Sequence, residues 1–237
     1  AEHNAINFSK INLKNSYIYV TLEPCAHFGH TSPCTDKIIK KKIRNVFFSV
    51  EDPDKRTYGK SMEILSKKNI KVNKGILKKD ISNFYRSYTK FKNDYLPFVT
   101  CKLAASKDYF TINKNKNKKK WITNDLSRGR VHLMRSNHDC ILTSSNTVII
   151  DNPLLTCRIK GLEKTSPTRI ILDRDLKISL NSKILKNCNI HKTLIFHNKV
   201  DRKKISLLRG LKVKTFFTPL NEQGKLNIFY VLTKAKK

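Results

Sequence analysis

The chain contains no run of roughly eighteen apolar residues, so no membrane-spanning helix is expected. It begins Ala1-Glu2, with neither an initiator Met nor a basic stretch leading into an apolar one. No secretory signal is read there, and the chain is expected to be the interior of a longer protein. Internal repeats are lacking too, which removes solenoids and propellers. Six irregularly spaced cysteines in 237 residues are too few for a disulfide framework. A reducing, cytoplasmic setting is the default. Acidic residues are scarce, 18 Asp+Glu against 49 Lys+Arg, for a net charge of +31. That balance invites a nucleic-acid reading through phosphate neutralisation. The competing reading is compositional drift, because Lys, Asn and Ile abound along the whole chain. The lysines form no patch interleaved with aromatics, so no nucleic-acid partner is expected. The basic field still favours small substrates that carry phosphate.

The length suits two small domains. Ser16 to Leu22 (SYIYVTL) alternates and is rich in aromatic and β-branched residues, which predicts a strand. Ser32-Pro33 predicts an N-cap and first helical position, with Cys34, Ile38, Ile39 and Ile43 as the apolar stripe. A strand follows at Asn45 to Val50. Lys60 to Asn69 reads as a helix with Met62, Ile64 and Leu65 as its apolar members, and Ile70 to Ile76 as another strand. This alternation predicts a mostly parallel sheet covered by helices. An aromatic-rich helix at residues 80 to 95 marks the boundary, so domains of 1–95 and 96–237 are expected. Beyond it we expect a strand from Pro97 and a solvated loop at Asn113 to Lys120. A helix is expected over Asp125 to Asn137, then strands at Cys140 to Thr143, Thr168 to Asp173, Thr193 to His197 and Val213 to Phe217. A helix begins near Leu226.

The chemistry concentrates in Thr21 to Cys34, where two cysteines each follow a proline around a Gly/His-rich loop. Hydrolytic removal of an aromatic amino group needs hydroxide at neutral pH and a proton for the departing ammonia. Zinc with three protein ligands and one open position provides the first. A carboxylate that is not a ligand moves the proton. The signature of such sites is His-x-Glu upstream of Pro-Cys-x-x-Cys. Glu2 sits where the Glu belongs, and the His would precede Ala1. Cys25 and Cys34 stand nine apart, so the loop Ala26 to Thr31 is an insertion expected to face the substrate. A helix N-terminus favours Cys34 as a thiolate. His27 and His30 read either as exposed loop residues or as substitute ligands. His3 reads as a helix-face residue.

Thr21 to Cys34 resembles the T-L-E-P-C-x-H-x-G-x-T-P-P-C signature of the bifunctional riboflavin biosynthesis deaminase/reductases. Pro97 to Asp108 (PFVTCKLAASKD) resembles the opening strand of their reductase. Trp121-Ile122-Thr123 resembles W-I-T, His132 to Arg135 resembles the V-H-x-L-R helix, and Thr147 to Arg158 (TVIIDNPLLTCR) resembles T-V-x-x-D-N-P-x-L-T-x-R. The resemblance implies an α/β chain with a cytidine-deaminase-like zinc domain followed by a dihydrofolate-reductase-like domain truncated at its C-terminus. It implies deamination of a diaminopyrimidine ribosyl phosphate, then NADPH-dependent reduction of the ribosyl group to ribityl. By the same resemblance Glu2 is the proton shuttle, and Cys25 and Cys34 are zinc ligands. His27, His30 and Asp52 lie by the first substrate. Ala104, Trp121, Thr147 and Asp151 line the NADPH site, and Arg135, Leu155 and Arg158 hold the sugar phosphate. A homo-oligomer is implied as well. The chain departs from the pattern at Asp54, where the family has Asn, and at Tyr109, where it has Gly. A Glu-Gly-Gly motif is not found before Lys237, so both sites read as clipped. The rival readings are a tRNA or other nucleic-acid deaminase, which has no use for the second set of motifs, and an inactive protein that keeps the fold.

Overall fold

The computed structural model describes residues 1–29, 31–111 and 122–236. His30, Trp121 and the loop expected at Asn113 to Lys120 lie outside the described residues. The chain divides into two compact units, Ala1–Phe98 and Val99–Lys237.

The first unit runs α1 (Glu2–Phe8), β1 (Tyr17–Leu22), α2 (Cys34–Lys40), β2 (Asn45–Val50), α3 (Lys60–Ser66), β3 (Lys71–Lys74), α4 (Lys78–Phe84) and α5 (Arg86–Asn93). The strands pair in the order β1-β2-β3, all parallel, with Tyr17 opposite Asn45 and Asn45 opposite Lys71. Period-two alternation puts Ile18, Val46 and Val72 on one face. There they meet Ile6 of α1, Ile38 of α2 and Leu65 of α3. Ile38 and Leu65 are wholly buried, worth about 2 kcal/mol each in apolar area removed from water. On the other face Tyr17 and Tyr19 stay exposed and stack on Phe47, with the Tyr19 and Phe47 ring centroids 4.6 Å apart.

Two expectations need correction here, on the Ser32 cap and on the helix at 80 to 95. Ser32 does not cap α2: Pro33 occupies the N-cap, and the Ser32 hydroxyl lies 3.4 Å from His3 Nε2. Met62 faces outward, because the inner side of α3 is taken by Ser61 and Leu65. The helix expected over 80 to 95 is two helices that break at Tyr85.

The second unit runs α6 (Asp125–Ser136), β4 (Cys140–Ser144), α7 (Ser145–Asp151), β5 (Thr168–Leu172), α8 (Lys183–Lys186), β6 (Thr193–His197), α9 (Arg202–Gly210), β7 (Lys214–Phe217) and α10 (Ile228–Ala235). Its sheet order is β4-β5-β6-β7, again all parallel. Ile171 and Ile195 point into one core with Val148, Ile184, Leu185 and Leu208. Ile170, Leu194 and Phe196 point into another with Val231 of α10. Burial on both faces explains why these strands read as continuous apolar runs. The strand expected from Pro97 is absent: residues 97 to 105 take no regular structure, and no strand among the described residues pairs with them. An extended segment without a ladder partner leaves its backbone to water.

Arg169, the second residue of β5, is fully buried, and among the described residues no carboxylate is hydrogen-bonded to it. Its guanidinium donates to Thr193 Oγ1 at 2.6 Å, His191 O at 2.8 Å and Leu154 O at 3.3 Å. Burial pulls its pKa down to about 10. The bond to Leu154 O pins the start of the Leu155 to Arg158 segment, which carries part of the second site.

Candidate active sites

In open parallel sheets, ligands gather outside the carboxyl ends of the strands. In the first unit β1 delivers Glu23 and Cys25 there, and β2 delivers Asp52. Glu2 and Cys34 arrive on the first turns of α1 and α2. The Cys34 N–H donates to Cys25 Sγ at 3.2 Å, and the Cys34 thiol lies 3.5 Å from Glu2 Oε2. Burial, then the contact with Cys25, then the charge of Glu2, push the Cys34 thiol up to about 12. A cation between the sulfurs would reverse that order and hold both as thiolates. The donor set therefore fits zinc, which prefers thiolate and imidazole. It supplies two ligands: among the described residues no group of three or more His, Cys, Asp or Glu side chains is placed to hold a metal. His3 points elsewhere, with Nδ1 2.9 Å from Lys37 Nζ.

The loop after β2 faces this site and is tightly tied. Glu23 is buried and accepts four hydrogen bonds, from Ser61 Oγ at 2.7 Å, Gly59 N at 3.0 Å, Ser61 N at 3.2 Å and Asp52 N at 3.3 Å. A buried carboxylate is tolerable when its lone pairs are satisfied in this way. Gly59 takes a positive φ of 72°, a backbone that suits glycine. The loop so held presents Thr57, whose Oγ1 lies 2.9 Å from His27 Nδ1. Asp52 is buried and accepts from the Tyr88 hydroxyl at 3.0 Å. Burial and that bond push the Tyr88 hydroxyl pKa upward. Asp54 accepts from Arg56 Nη2 at 2.7 Å and Lys92 Nζ at 2.8 Å. The Arg56 fork, then Lys92, hold its carboxyl well below the usual carboxylate range.

In the second unit α6 brings His132 and Arg135 against the Thr156 to Arg158 segment. Arg135 Nη1 donates to Thr156 O at 3.0 Å. Arg158 reaches His132 Nε2 through its own Nε at 3.3 Å and Nη2 at 3.2 Å. Burial and the charges of Arg135 and Arg158 pull the His132 pKa down, so the ring is neutral near pH 7. Arg135 Nε is buried without a hydrogen-bond partner.

The remaining expected residues are less gathered. Leu155 is buried in the core with a positive φ of 59°, so it offers backbone rather than side chain to a ligand. Thr147 and Asp151 lie four apart on α7, one face of one helix. The Thr147 N–H donates to the capping Ser144 hydroxyl at 3.4 Å. Ala104 is half-buried in the irregular 97 to 105 segment.

Glu23, Thr57, Tyr88 and His132 were not singled out from the sequence. Glu23 did carry a signal, a lone carboxylate ending an apolar strand before Pro24. His132 sat within a recognised motif. Thr57 and Tyr88 carried none.

Comparison with known proteins bears on both units. Residues 97–236 match the model of the RibD C-terminal domain. Residues 1–50 match the cytidine and deoxycytidylate deaminase zinc-binding region. The chain is 36% identical to the riboflavin biosynthesis protein RibD of Bacillus amyloliquefaciens, over 91% of this chain and 58% of that protein. It is 33% identical to RibD of Aquifex aeolicus, over 99% of this chain and 67% of that protein. Among solved structures it superposes on a diaminohydroxyphosphoribosylaminopyrimidine deaminase/5-amino-6-(5-phosphoribosylamino)uracil reductase from Thermotoga maritima. That match has a TM-score of 0.84 and 28% identity, over 100% of this chain and 64% of that one. Acinetobacter baumannii RibD gives a TM-score of 0.82 at 27% identity, over 99% of this chain and 63% of that one. The chain thus spans roughly three fifths of the length of these relatives. With a match to the deaminase zinc-binding region followed by one to the RibD C-terminal domain, the chain belongs to the RibD family of riboflavin biosynthesis proteins.

Proposed function

We propose that the chain carries a zinc-dependent deaminase in residues 1–95 and an NADPH-dependent reductase in 96–237. They act in turn on one pyrimidine ribosyl phosphate in riboflavin biosynthesis. The observation that carries the reading is the meeting of Glu2, Cys25 and Cys34 in a chain that also holds the His132, Arg135 and Arg158 cluster.

Cys25 and Cys34 would hold zinc, which when bound makes water a nucleophile at neutral pH. Glu2, 3.5 Å from the Cys34 thiol, would take a proton from water and pass it to the departing ammonia. His27, fixed by Thr57, and Asp52, fixed by Tyr88 and the Glu23-bound loop, orient the pyrimidine. His30 shares that role by resemblance. In the reductase NADPH supplies the hydride. Ala104, Trp121, Thr147 and Asp151 position the cofactor. Arg135 and Arg158 take the phosphate, because guanidinium forks match its oxygens. Leu155 contributes backbone beside them.

The match over residues 97–236 gives a nucleic-acid deaminase no role for half the chain. No helix among the described residues is long and apolar enough to cross a membrane. All six cysteines are free, which supports a reducing cytoplasm. A homo-oligomer belongs to the same reading, and light scattering would check it. The decisive experiment incubates the protein with the diaminopyrimidine ribosyl phosphate, zinc and NADPH, then weighs the products by mass spectrometry. A deaminated, reduced product is expected; unchanged substrate overturns the proposal.

A further inference from the structure

The Arg135 and Arg158 pair has an unusual arrangement. Among the described residues no Asp or Glu is hydrogen-bonded to Arg135, Arg158 or His132. The link between the two guanidinium groups is a neutral imidazole. Both Arg158 atoms facing His132 Nε2 are donors, so Nε2 must present a lone pair. Nδ1 lies 3.2 Å from Thr156 O, and the Arg158 backbone N–H faces it at 3.3 Å. The same carbonyl accepts from Arg135 Nη1 at 3.0 Å. One imidazole and one carbonyl thus set the spacing of two like charges that otherwise repel. Arg135 Nε remains a buried donor with no acceptor. Two cations held together without an anion leave room for a group of two negative charges.

Resting on the reading of this cluster as the phosphate site, we propose that His132, through its contacts with the Arg158 guanidinium and backbone N–H, is the positioning residue that fixes Arg158 beside Arg135 for a phosphomonoester dianion. The contacts His132 makes are to Thr156, Arg135 and Arg158, so it acts through the arginines. Its contribution is therefore confined to substrate affinity.

The test uses the full chain in steady-state reduction, with sulfate as a competing dianion of pH-independent charge. His132→Phe removes both ring hydrogen bonds. We expect the KM for the phosphorylated substrate, and the inhibition constant for sulfate, to rise roughly tenfold, as loss of one hydrogen bond to a charged group predicts. The kcat and the KM for NADPH stay within about twofold. His132→Gln, whose Oε1 can accept from Arg158, recovers most of the loss. The double variant His132→Phe/Arg158→Ala binds no worse than Arg158→Ala alone, because the two act as one unit. If the Phe variant fails to fold, His132→Asn, too short to reach Arg158, takes its place. An unchanged KM in the His132 variants, with a raised KM in Arg158→Ala, overturns the role of His132 and leaves the phosphate site standing. A KM and sulfate constant unmoved by Arg158→Ala as well overturn the phosphate site itself.

Discussion

The two sites solve opposite electrostatic problems. In the first unit the notable groups are carboxylates, Glu23, Asp52 and Asp54, each satisfied by donors from the chain itself. In the second they are cations, Arg135 and Arg158, both on His132, with no Asp or Glu among the described residues hydrogen-bonded to them. The first site spends its internal bonds on making a loop rigid beside two thiols and the Glu2 carboxylate. The second leaves its charge open. A rigid, internally balanced frame suits chemistry on a neutral ring, where geometry decides. An unbalanced cationic pair suits capture of an anion, where attraction decides.

Four substitutions break or sharpen that contrast. On the proposed reading Glu2→Gln removes the proton carrier and should lower deamination about a thousandfold while leaving reduction intact. Separate assays of ammonia release and NADPH oxidation check it, and equal loss in both would dissolve the distinction between the sites. Arg135→Ala should raise the substrate KM of the reductase about a hundredfold with the NADPH KM unchanged, measured by steady-state kinetics. Glu23→Gln turns one of two acceptor oxygens into a donor facing backbone N–H groups. It should cost about 2 kcal/mol in urea unfolding.

Asp54→Asn has the smallest effect. The Asp54 carboxyl sits below its unfolded pKa, so the unfolded chain binds the extra proton and stability rises with pH through that range. The contribution is present above about pH 4 and is lost on acidification. With Arg56 largely exposed, screening holds it to about 1 kcal/mol. The variant should lose that acid-range slope, and a slope kept intact in pH-dependent denaturation would move its origin to another carboxylate.

Much of this arrangement can be read from sequence, and the exceptions have physical causes. Cys25 and Cys34 are legible because proline before cysteine at a strand end and a helix start leaves few other readings. The parallel strands are legible from their apolar runs. Glu23 is half legible: a carboxylate ending an apolar strand is a signal, but its partners, Gly59 and Ser61, lie far along the chain, and local pattern carries no information on distant donors. His132 is opaque because a helical histidine looks alike whether it solvates or links two arginines. The strand expected from Pro97 has the right composition, yet a strand exists only through its neighbour. Leu155 reads as a contact residue, but its left-handed backbone turns the side chain into the core.

Both sheets keep their strands in chain order, β1-β2-β3 and β4-β5-β6-β7. Each strand therefore pairs with the one made just before it, as Asn45 does with Tyr17 and Thr168 with Cys140. On a ribosome, a newly emerged strand finds its template already outside the exit tunnel, and loop closure never waits for a distant partner. For parallel sheets, whose pairings are otherwise slow to close, that order makes synthesis itself a folding path.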